Sequence, residues 1–106
     1  MILYFRVQEK SMEPACGEGD FVLLDRISLL WRPLQELDVV LVEDPESAGR
    51  VLLKRISSVK KDERGTAYWV EGDNKGVSRD SRHFGRIGRA RVLGRARIVR
   101  RVRAVV

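Results

Sequence analysis

The chain has 106 residues, of which 43% are hydrophobic and 34% are charged. This composition is typical of one soluble folded domain with a single core. The 21 Lys and Arg residues outnumber 15 Asp and Glu, a net charge of +6, which favours acidic partners or else a plainly solvated basic face. One cysteine, Cys16, excludes an intrachain disulfide, and one histidine, His83, leaves too few soft ligands for a zinc site. We therefore expect one domain, residues 1–106, without metal or cofactor.

The N-terminal stretch, residues 1–7, is apolar but interrupted by Arg6. Its apolar run is too short to cross a bilayer. It also lacks the long apolar core and the small-residue cleavage site of a secretory signal. We expect a cytoplasmic protein if the chain is complete, and a membrane-associated one if an N-terminal anchor has been removed.

Short apolar runs separated by turn residues predict an all-β protein with a coiled, partly closed sheet. The predicted strands are residues 3–7, 21–25 (a buried strand), 39–42, 51–59 and 66–71. A hairpin loop is predicted at residues 60–65, a turn at 72–76 and an irregular polar segment at 78–84. Trp31 and Pro33 make residues 28–37 either a loop or a single helical turn.

From Arg89 onwards, small or apolar residues alternate with arginine. The even positions carry Ala90, Val92, Gly94, Ala96, Ile98, Val102 and Ala104, interrupted by Arg100. Most odd positions carry arginine, namely Arg89, Arg91, Arg95, Arg97, Arg101 and Arg103, which we call the arginine face. A period of two predicts a strand with one buried and one solvated side.

Three interpretations of the arginine face are open. It is a solvated strand face, a surface for an acidic partner or membrane headgroups, or a site for nucleic-acid phosphates. Aromatic residues make up 7% of the chain and none follows Phe84. Stacking on bases is therefore poorly supported, and nucleic acid is the least favoured partner.

The stretch Ser11-Met12-Glu13-Pro14 offers a candidate nucleophile. A serine hydroxyl needs a base to remove its proton and donors to receive the oxyanion that forms. Pro14 biases the preceding residue towards extended or turn geometry, which would hold Ser11 at the end of an exposed turn. The same residues also suit an ordinary turn, so the base has to come from elsewhere in the chain.

Lys54 is the candidate base, because it shares a predicted strand face with Leu52 and Ile56. Burial of a lysine lowers its pKa by removing solvation from the charged form. A neutral amine can then act as a general base. The alternative is a lysine whose chain runs along the apolar surface and whose amine reaches water at the sheet edge.

A third element is more specific: Gly72-Asp73-Asn74, then Ser78-Arg79-Asp80-Ser81-Arg82, then Phe84-Gly85. Together with Ser11-Met12-Glu13-Pro14, Gly19-Asp20-Phe21-Val22 and Lys54-Arg55-Ile56, it resembles the type I signal peptidase family of Ser/Lys proteases. The motifs occur in the family order over residues 7–94. The hairpin between Lys54 and Gly72 is compact. In this feature the chain is most similar to small, soluble members of the family, such as the nickel-type superoxide dismutase maturation proteases.

The resemblance implies a signal-peptidase or repressor-type fold, in which coiled antiparallel sheets form a partly closed barrel. It implies that Ser11 is the nucleophile, whose backbone N–H also serves as an oxyanion donor. Lys54 would be the general base, acting unprotonated, and Ser78 would orient its amine. Asp80 and Arg82 would form a supporting ion pair below the site.

The resemblance also implies the substrate. An extended peptide with small side chains at two key positions would add as a strand beside an exposed edge, with Met12 and Pro14 at the cleft. The partner would be a precursor protein whose leader or signal peptide is removed by acyl transfer.

Some residues depart from the family pattern. Glu9 stands where relatives carry Gly or Ser, and its charge, when ionised, would oppose a developing oxyanion. Lys10 replaces a small or polar residue, and Ala15-Cys16 replaces Thr-Leu. The alternative function is therefore a weak or inactive relative that binds partners through the arginine face.

Two other nucleophilic arrangements are weaker. A Ser/His/Asp triad would have to use His83, which occupies a variable family position, and Cys16 is better explained as a packing residue. The self-cleaving repressor-type domains need a DNA-binding module and a cleavage segment ahead of the serine, and ten residues hold neither.

Overall fold

The computed structural model describes residues 3–99. Seven antiparallel strands form one curled sheet in the order β1-β2-β7-β3-β4-β5-β6. The strands are β1 (Tyr4–Arg6), β2 (Phe21–Asp25), β3 (Val39–Glu43), β4 (Val51–Asp62), β5 (Gly65–Glu71), β6 (Ile87–Gly88) and β7 (Val92–Val99). The helical elements are α1 (Ser81–Phe84) and two 3₁₀ turns, Ile27–Leu30 and Arg89–Arg91. The all-β class predicted from the sequence is confirmed.

Strand β3 contributes to two apolar clusters, because successive side chains of a strand point to opposite faces. Val40 and Val42 belong to the larger cluster, whereas Leu41 packs in the smaller one with Met12 and Cys16. Antiparallel pairing with β4 sets Val40 opposite Lys54. The strand that carries the candidate base is an interior strand of the sheet, between β3 and β5, and its Leu52 and Ile56 belong to the larger apolar cluster.

The β4–β5 hairpin is longer than predicted. Its ladder continues to the pair Asp62 and Gly65, and only Glu63 and Arg64 form the turn. The predicted six-residue loop is therefore wrong. Residues near the tip are exposed on both sides, so polar side chains extend the ladder without a desolvation cost, and a hydrophobic pattern does not report them.

Three further local predictions have mixed outcomes. Strand β2 has the predicted bounds, but only Val22 in it is buried, and Phe21 is 41% exposed. Of the two alternatives left open for residues 28–37, both occur: a single 3₁₀ turn, Ile27–Leu30, overlaps the start of the segment, and irregular structure follows it. The segment predicted as irregular contains α1, whose N-cap is Asp80. A helix of four residues is too short to show a 3.6-residue period, which explains the miss.

The arginine face is not a uniformly solvated strand face. Arg89 and Arg91 lie in a 3₁₀ turn ahead of β7, and Arg95 is only 4% exposed. Three arginines each pair with an acidic side chain: Arg91 with Glu43, Arg95 with Asp38, and Arg97 with Asp25. The period-two pattern of burial is therefore interrupted, by the 3₁₀ turn at Arg89–Arg91 and by the burial of Arg95 between Gly94 and Ala96. The last part of the predicted strand, residues 100–106, lies outside the described residues.

Arg95 supports a large stability prediction. Its guanidinium donates to the Asp38 carboxylate at 3.0 Å, to the Ser28 hydroxyl, and to the backbone carbonyls of Arg32 and Pro33. Removing one partner of a buried ion pair leaves the other charge uncompensated, which costs about 3–5 kcal/mol. We therefore expect Arg95→Ala to lower the free energy of unfolding by about this amount in urea denaturation.

The matched control is Arg91→Ala, because Arg91 and Glu43 are each roughly half exposed. Exposed pairs contribute about 0–1 kcal/mol. Similar losses in the two variants would contradict a structural role specific to Arg95.

Candidate active site

Ser11 lies in the connection between β1 and β2 and is only 4% exposed. The expected exposed turn is therefore wrong: the turn is packed down onto the sheet. The Glu13 N–H donates to the Lys10 carbonyl and the Cys16 N–H to the Met12 carbonyl, and these bonds close the turn around the serine. Because Met12 and Cys16 anchor in the core, the position of Ser11 is set by apolar packing on the residues that follow it.

Lys54 is fully buried, with 0% exposure. The alternative in which its amine reaches water at the sheet edge is therefore wrong. Burial lowers the pKa of Lys54, and the negative charge of Asp80 partly offsets that effect. Lys54 Nζ donates a hydrogen bond to Ser78 Oγ at 3.0 Å. The amine is thus desolvated and held in one orientation by a single hydroxyl.

Ser78 has one hydroxyl proton, and the geometry assigns it to Asp80. Ser78 Oγ lies 2.7 Å from Asp80 Oδ2, and a carboxylate can only accept. The lone pairs of Ser78 therefore accept from the Lys54 amine and from the Gly72 N–H, which is 3.1 Å away. A neutral Lys54 that donates to Ser78 keeps its own lone pair for another proton.

Asp80 is the charged centre below the amine. Burial acts to raise the pKa of this carboxyl, but hydrogen bonds from Arg82, Gly72 and Ser78 outweigh burial and hold the pKa well below its usual range. Arg82 donates through both its backbone N–H and its guanidinium, at 3.0–3.2 Å. The expected Asp80–Arg82 ion pair is present, and it also caps α1.

The Gly72-Asp73-Asn74 turn, which the resemblance implies to deliver Ser78, also contacts the Ser11 segment, and the sequence did not indicate this second contact. The Asn74 N–H donates to the Ser11 carbonyl at 2.8 Å, and the Asn74 side chain donates to the Lys10 carbonyl. A Cβ on Gly72 would lie 2.6 Å from the Ser11 carbonyl oxygen and 2.2 Å from Ser78 Oγ. The segments that carry Ser11 and Ser78 therefore approach each other at a point where only glycine fits.

The structure thus brings together Ser11, Lys54, Ser78, Asp80 and Arg82. Among residues 3–99, no hydrogen bond joins Ser11 Oγ to Lys54 Nζ, and the bonded partner of the amine is Ser78.

A cavity of about 210 Å³ opens beside Ser11. Its lining includes residues 5–9 from the end of β1 and the connection after it, residues 50–53 around the start of β4, and Met12. Strand β1 is at the edge of the sheet. Met12 therefore lines the cleft as expected, whereas Pro14 is exposed and lies outside the residues that line it.

Glu9 and Arg50 form an ion pair at this cavity, and their side chains are 49% and 48% exposed. The charge of Glu9 is thus offset by an arginine. No sequence motif could have shown this pair, because its members are 41 residues apart.

The other candidates have structural roles. His83 accepts a hydrogen bond from the Asp80 N–H through Nδ1 and completes the capping box of α1. Cys16 is fully buried in the smaller apolar cluster. Within residues 3–99 there is no group of three His, Cys, Asp or Glu side chains able to hold a metal ion. No helix in the same range has the length and apolar character needed to cross a membrane.

The curled antiparallel sheet thus carries a cleft with Ser11 among its lining residues, and Lys54 is buried on β4. Comparison with known proteins gives the family. The family described as "Signal peptidase, peptidase S26" matches residues 1–63 and 58–100. The chain belongs to this family, which confirms the resemblance to type I signal peptidases.

Several relatives carry peptidase names. Mitochondrial inner membrane protease subunit 2 of Danio rerio is 33% identical over 109 residues, which cover 86% of this chain and 60% of the relative. Mitochondrial ATP-independent inner membrane protease subunit 1a of Arabidopsis thaliana is 31% identical, covering 85% and 65%. Signal peptidase I V of Bacillus subtilis (strain 168) is 26% identical, covering 85% and 80%. The chain spans about three fifths of the length of the mitochondrial relatives.

Proposed function

We propose that this chain is a serine endopeptidase that removes an N-terminal leader or signal peptide from a precursor protein, with Ser11 as nucleophile and Lys54 as general base. The observation that carries the proposal is the environment of the Lys54 amine. It is buried, and among the described residues it donates to Ser78 Oγ, whose own proton is donated to Asp80. A buried lysine without a direct carboxylate partner is costly to a fold, and its neutral form is useful in catalysis.

The proposed reaction is acyl transfer. Neutral Lys54 accepts the proton of Ser11 Oγ as the oxygen attacks the scissile carbonyl carbon, and the backbone N–H of Ser11 donates to the oxyanion. The tetrahedral intermediate collapses as the C–N bond breaks, and the Lys54 ammonium protonates the leaving amine. Water then attacks the acyl carbon while Lys54 accepts one of its protons. The ester C–O bond to Ser11 breaks, the Lys54 ammonium returns the proton to Ser11 Oγ, and the new carboxylate end of the cleaved peptide leaves.

The supporting residues keep Lys54 competent in this cycle. Ser78 orients the amine, and Asp80 stabilises the ammonium that forms when the proton arrives. Arg82 offsets the charge of Asp80, so that the carboxylate does not hold Lys54 permanently protonated. The three residues therefore act through Lys54 and are positioning residues in this mechanism.

The cleft supports an extended peptide substrate. Its walls come from the edge strand β1 and the start of β4, so that a peptide can add as a strand along one of them. A cavity of about 210 Å³ beside Ser11 accommodates small side chains. A more specific substrate, the leader of a metalloenzyme precursor such as nickel superoxide dismutase, is favoured by the compact hairpin between Lys54 and Gly72. Cleavage of that precursor in preference to a general signal peptide would test it.

A second candidate function is a weakly active or inactive relative that binds acidic partners or a membrane surface through the arginine face. The described part of this face argues against it, because Arg91, Arg95 and Arg97 are each paired with a carboxylate. Their positive charge is largely compensated within the protein itself.

A covalent serine-directed acylating probe distinguishes the two functions. We expect mass spectrometry to show one adduct on Ser11, and no adduct in Ser11→Ala or Lys54→Ala. Absence of labelling in the folded wild-type protein, or labelling of another serine, would overturn the proposed dyad.

The pH dependence of cleavage gives a further prediction. Because the base must be neutral and burial lowers the pKa of Lys54 from its ordinary value of 10.5, the rate should rise with pH through one apparent pKa below 10.5. It should then reach a plateau. We expect kcat/KM measured from pH 5 to 10 to show this profile.

The control for the pH profile is His83→Gln, since glutamine also suits the third position of a capping box. This variant should leave the profile unchanged. A wild-type rate that depends on a group with a pKa near the histidine reference of about 6.5, and that changes in His83→Gln, would show that His83 and not Lys54 is the base.

A further inference from the structure

The ion pair between Glu9 and Arg50 joins the two parts of the chain that carry the dyad. Glu9 lies two residues before Ser11, and Arg50 immediately precedes β4, which carries Lys54. Both side chains line the cavity that Ser11 lines. The pair therefore links the segment that precedes Ser11 to the residue that precedes β4, at the cavity that Ser11 lines.

We propose that the Glu9–Arg50 ion pair is a positioning and electrostatic tuning element of the dyad, which ties the Ser11 segment to β4 and balances the charges around the Lys54 amine. This inference rests on the proposed function. It gives a role in the site to Glu9, which stands where the family pattern has Gly or Ser.

Two acid–arginine pairs act on the charge of Lys54. Asp80 and Arg82 are linked to the amine through Ser78, and Glu9 and Arg50 line the cavity beside Ser11. Burial is the largest influence on the pKa of Lys54 and lowers it. Asp80 and Glu9 act to raise the pKa, whereas Arg50 and Arg82 act to lower it. Each pair thus contributes opposing effects, and removal of one member leaves the other uncompensated.

The backbone of Arg50 is fixed, which lets its side chain act as a positioning group. The Asp44 N–H donates to the Arg50 carbonyl, and the Arg50 N–H donates to the Ser47 carbonyl. Asp44 is buried and accepts from the Glu46 N–H and from the Arg79 guanidinium, at 2.8 and 2.9 Å. Since Arg79 stands between Ser78 and Asp80, this turn is also bonded to the segment that orients Lys54.

The exposure of the pair favours a role in the site over a role in folding. Ion pairs whose members are about half exposed contribute little to stability, so variants of Glu9 and Arg50 should fold. Charges at the rim of a low-dielectric site nevertheless act on a buried amine with less screening than they experience in bulk water.

The test uses Glu9→Gln, Arg50→Gln and a control, Arg91→Gln, which breaks the similarly exposed Arg91–Glu43 pair. We expect the apparent pKa of kcat/KM to fall in Glu9→Gln and to rise in Arg50→Gln, with Arg91→Gln unchanged. Expressed as a fraction of each variant's own alkaline plateau, the rate below the apparent pKa should be about two- to fivefold higher in Glu9→Gln than in wild type, and lower by a similar factor in Arg50→Gln. High salt should reduce both differences.

The positioning part of the inference has its own readout. Both single variants lose the tie across the cleft, so kcat on the alkaline plateau should fall in each. The reversed pair, Glu9→Arg with Arg50→Glu, should restore much of that plateau. Equal pKa values in wild type and both single variants, or shifts in the same direction, would overturn the inference.

A measurement without catalysis separates this inference from the proposed function. In a Ser11→Ala background, NMR titration of the Lys54 amine should show the same opposite shifts for Glu9→Gln and Arg50→Gln. If the dyad is active but these titrations coincide with the parent, the inference alone fails. If labelling and cleavage at Ser11 fail while the titrations shift, the proposed function fails and the electrostatic coupling stands.

Discussion

Replacing Ser11 with alanine, or Lys54 with methionine, should lower kcat for leader-peptide cleavage by at least about 10⁴-fold, because members of a nucleophile–base unit act together and each is indispensable. The double variant should be no slower than either single variant. Ser11→Ala removes one oxygen and leaves the packing of Met12 intact. Cleavage by either single variant within tenfold of the wild-type rate would exclude the dyad.

The Lys54→Met variant also provides a stability control. The folded pKa of Lys54 lies below 10.5, so the unfolded chain binds this proton more tightly than the folded protein does. Wild-type stability therefore rises with pH between the folded pKa and 10.5, and below pH 10.5 the buried amine lowers the free energy of unfolding. Lys54→Met has no amine and so lacks this loss of stability. We expect it to be more stable than wild type near neutral pH and to lose this advantage above pH 10.5.

The second large effect is expected for Gly72→Ala. The new Cβ would lie 2.6 Å from the Ser11 carbonyl oxygen and 2.2 Å from Ser78 Oγ, distances that force one segment to move. A displacement of about 1 Å in a positioned site can cost about 100-fold in rate, and overpacking typically costs about 1–3 kcal/mol. We expect both losses, measured as kcat and as the free energy of unfolding.

Gly76→Ala is the matched control, because nothing lies within 4 Å of a Cβ at that position and it belongs to the same connection between β5 and α1. It should retain activity and stability. Equal behaviour of the two alanine variants would show that Gly72 is not required for the approach of the Ser11 and Ser78 segments.

The sequence by itself determined the features that depend on neighbouring residues. The bounds of β2 follow from an apolar run between turn residues, and the placement of Lys54 with Leu52 and Ile56 follows from strand alternation. The motifs around Ser11, Lys54 and Ser78 identified the family, since their residue types and order can be read directly from the chain.

Only the tertiary structure decided which charges are neutralised and which backbone segments touch. Arg95 appeared to belong to a solvated face, yet it is buried against Asp38, 57 residues away. Glu9 appeared to be an unfavourable charge near an oxyanion, yet Arg50 pairs with it. Gly72 appeared in the sequence only as part of a predicted turn, yet its lack of a side chain lets the Ser11 and Ser78 segments approach each other. Each of these three features depends on a partner that strand pairing and chain curvature bring close. Contacts between residues so distant in the sequence cannot be predicted from local periodicity.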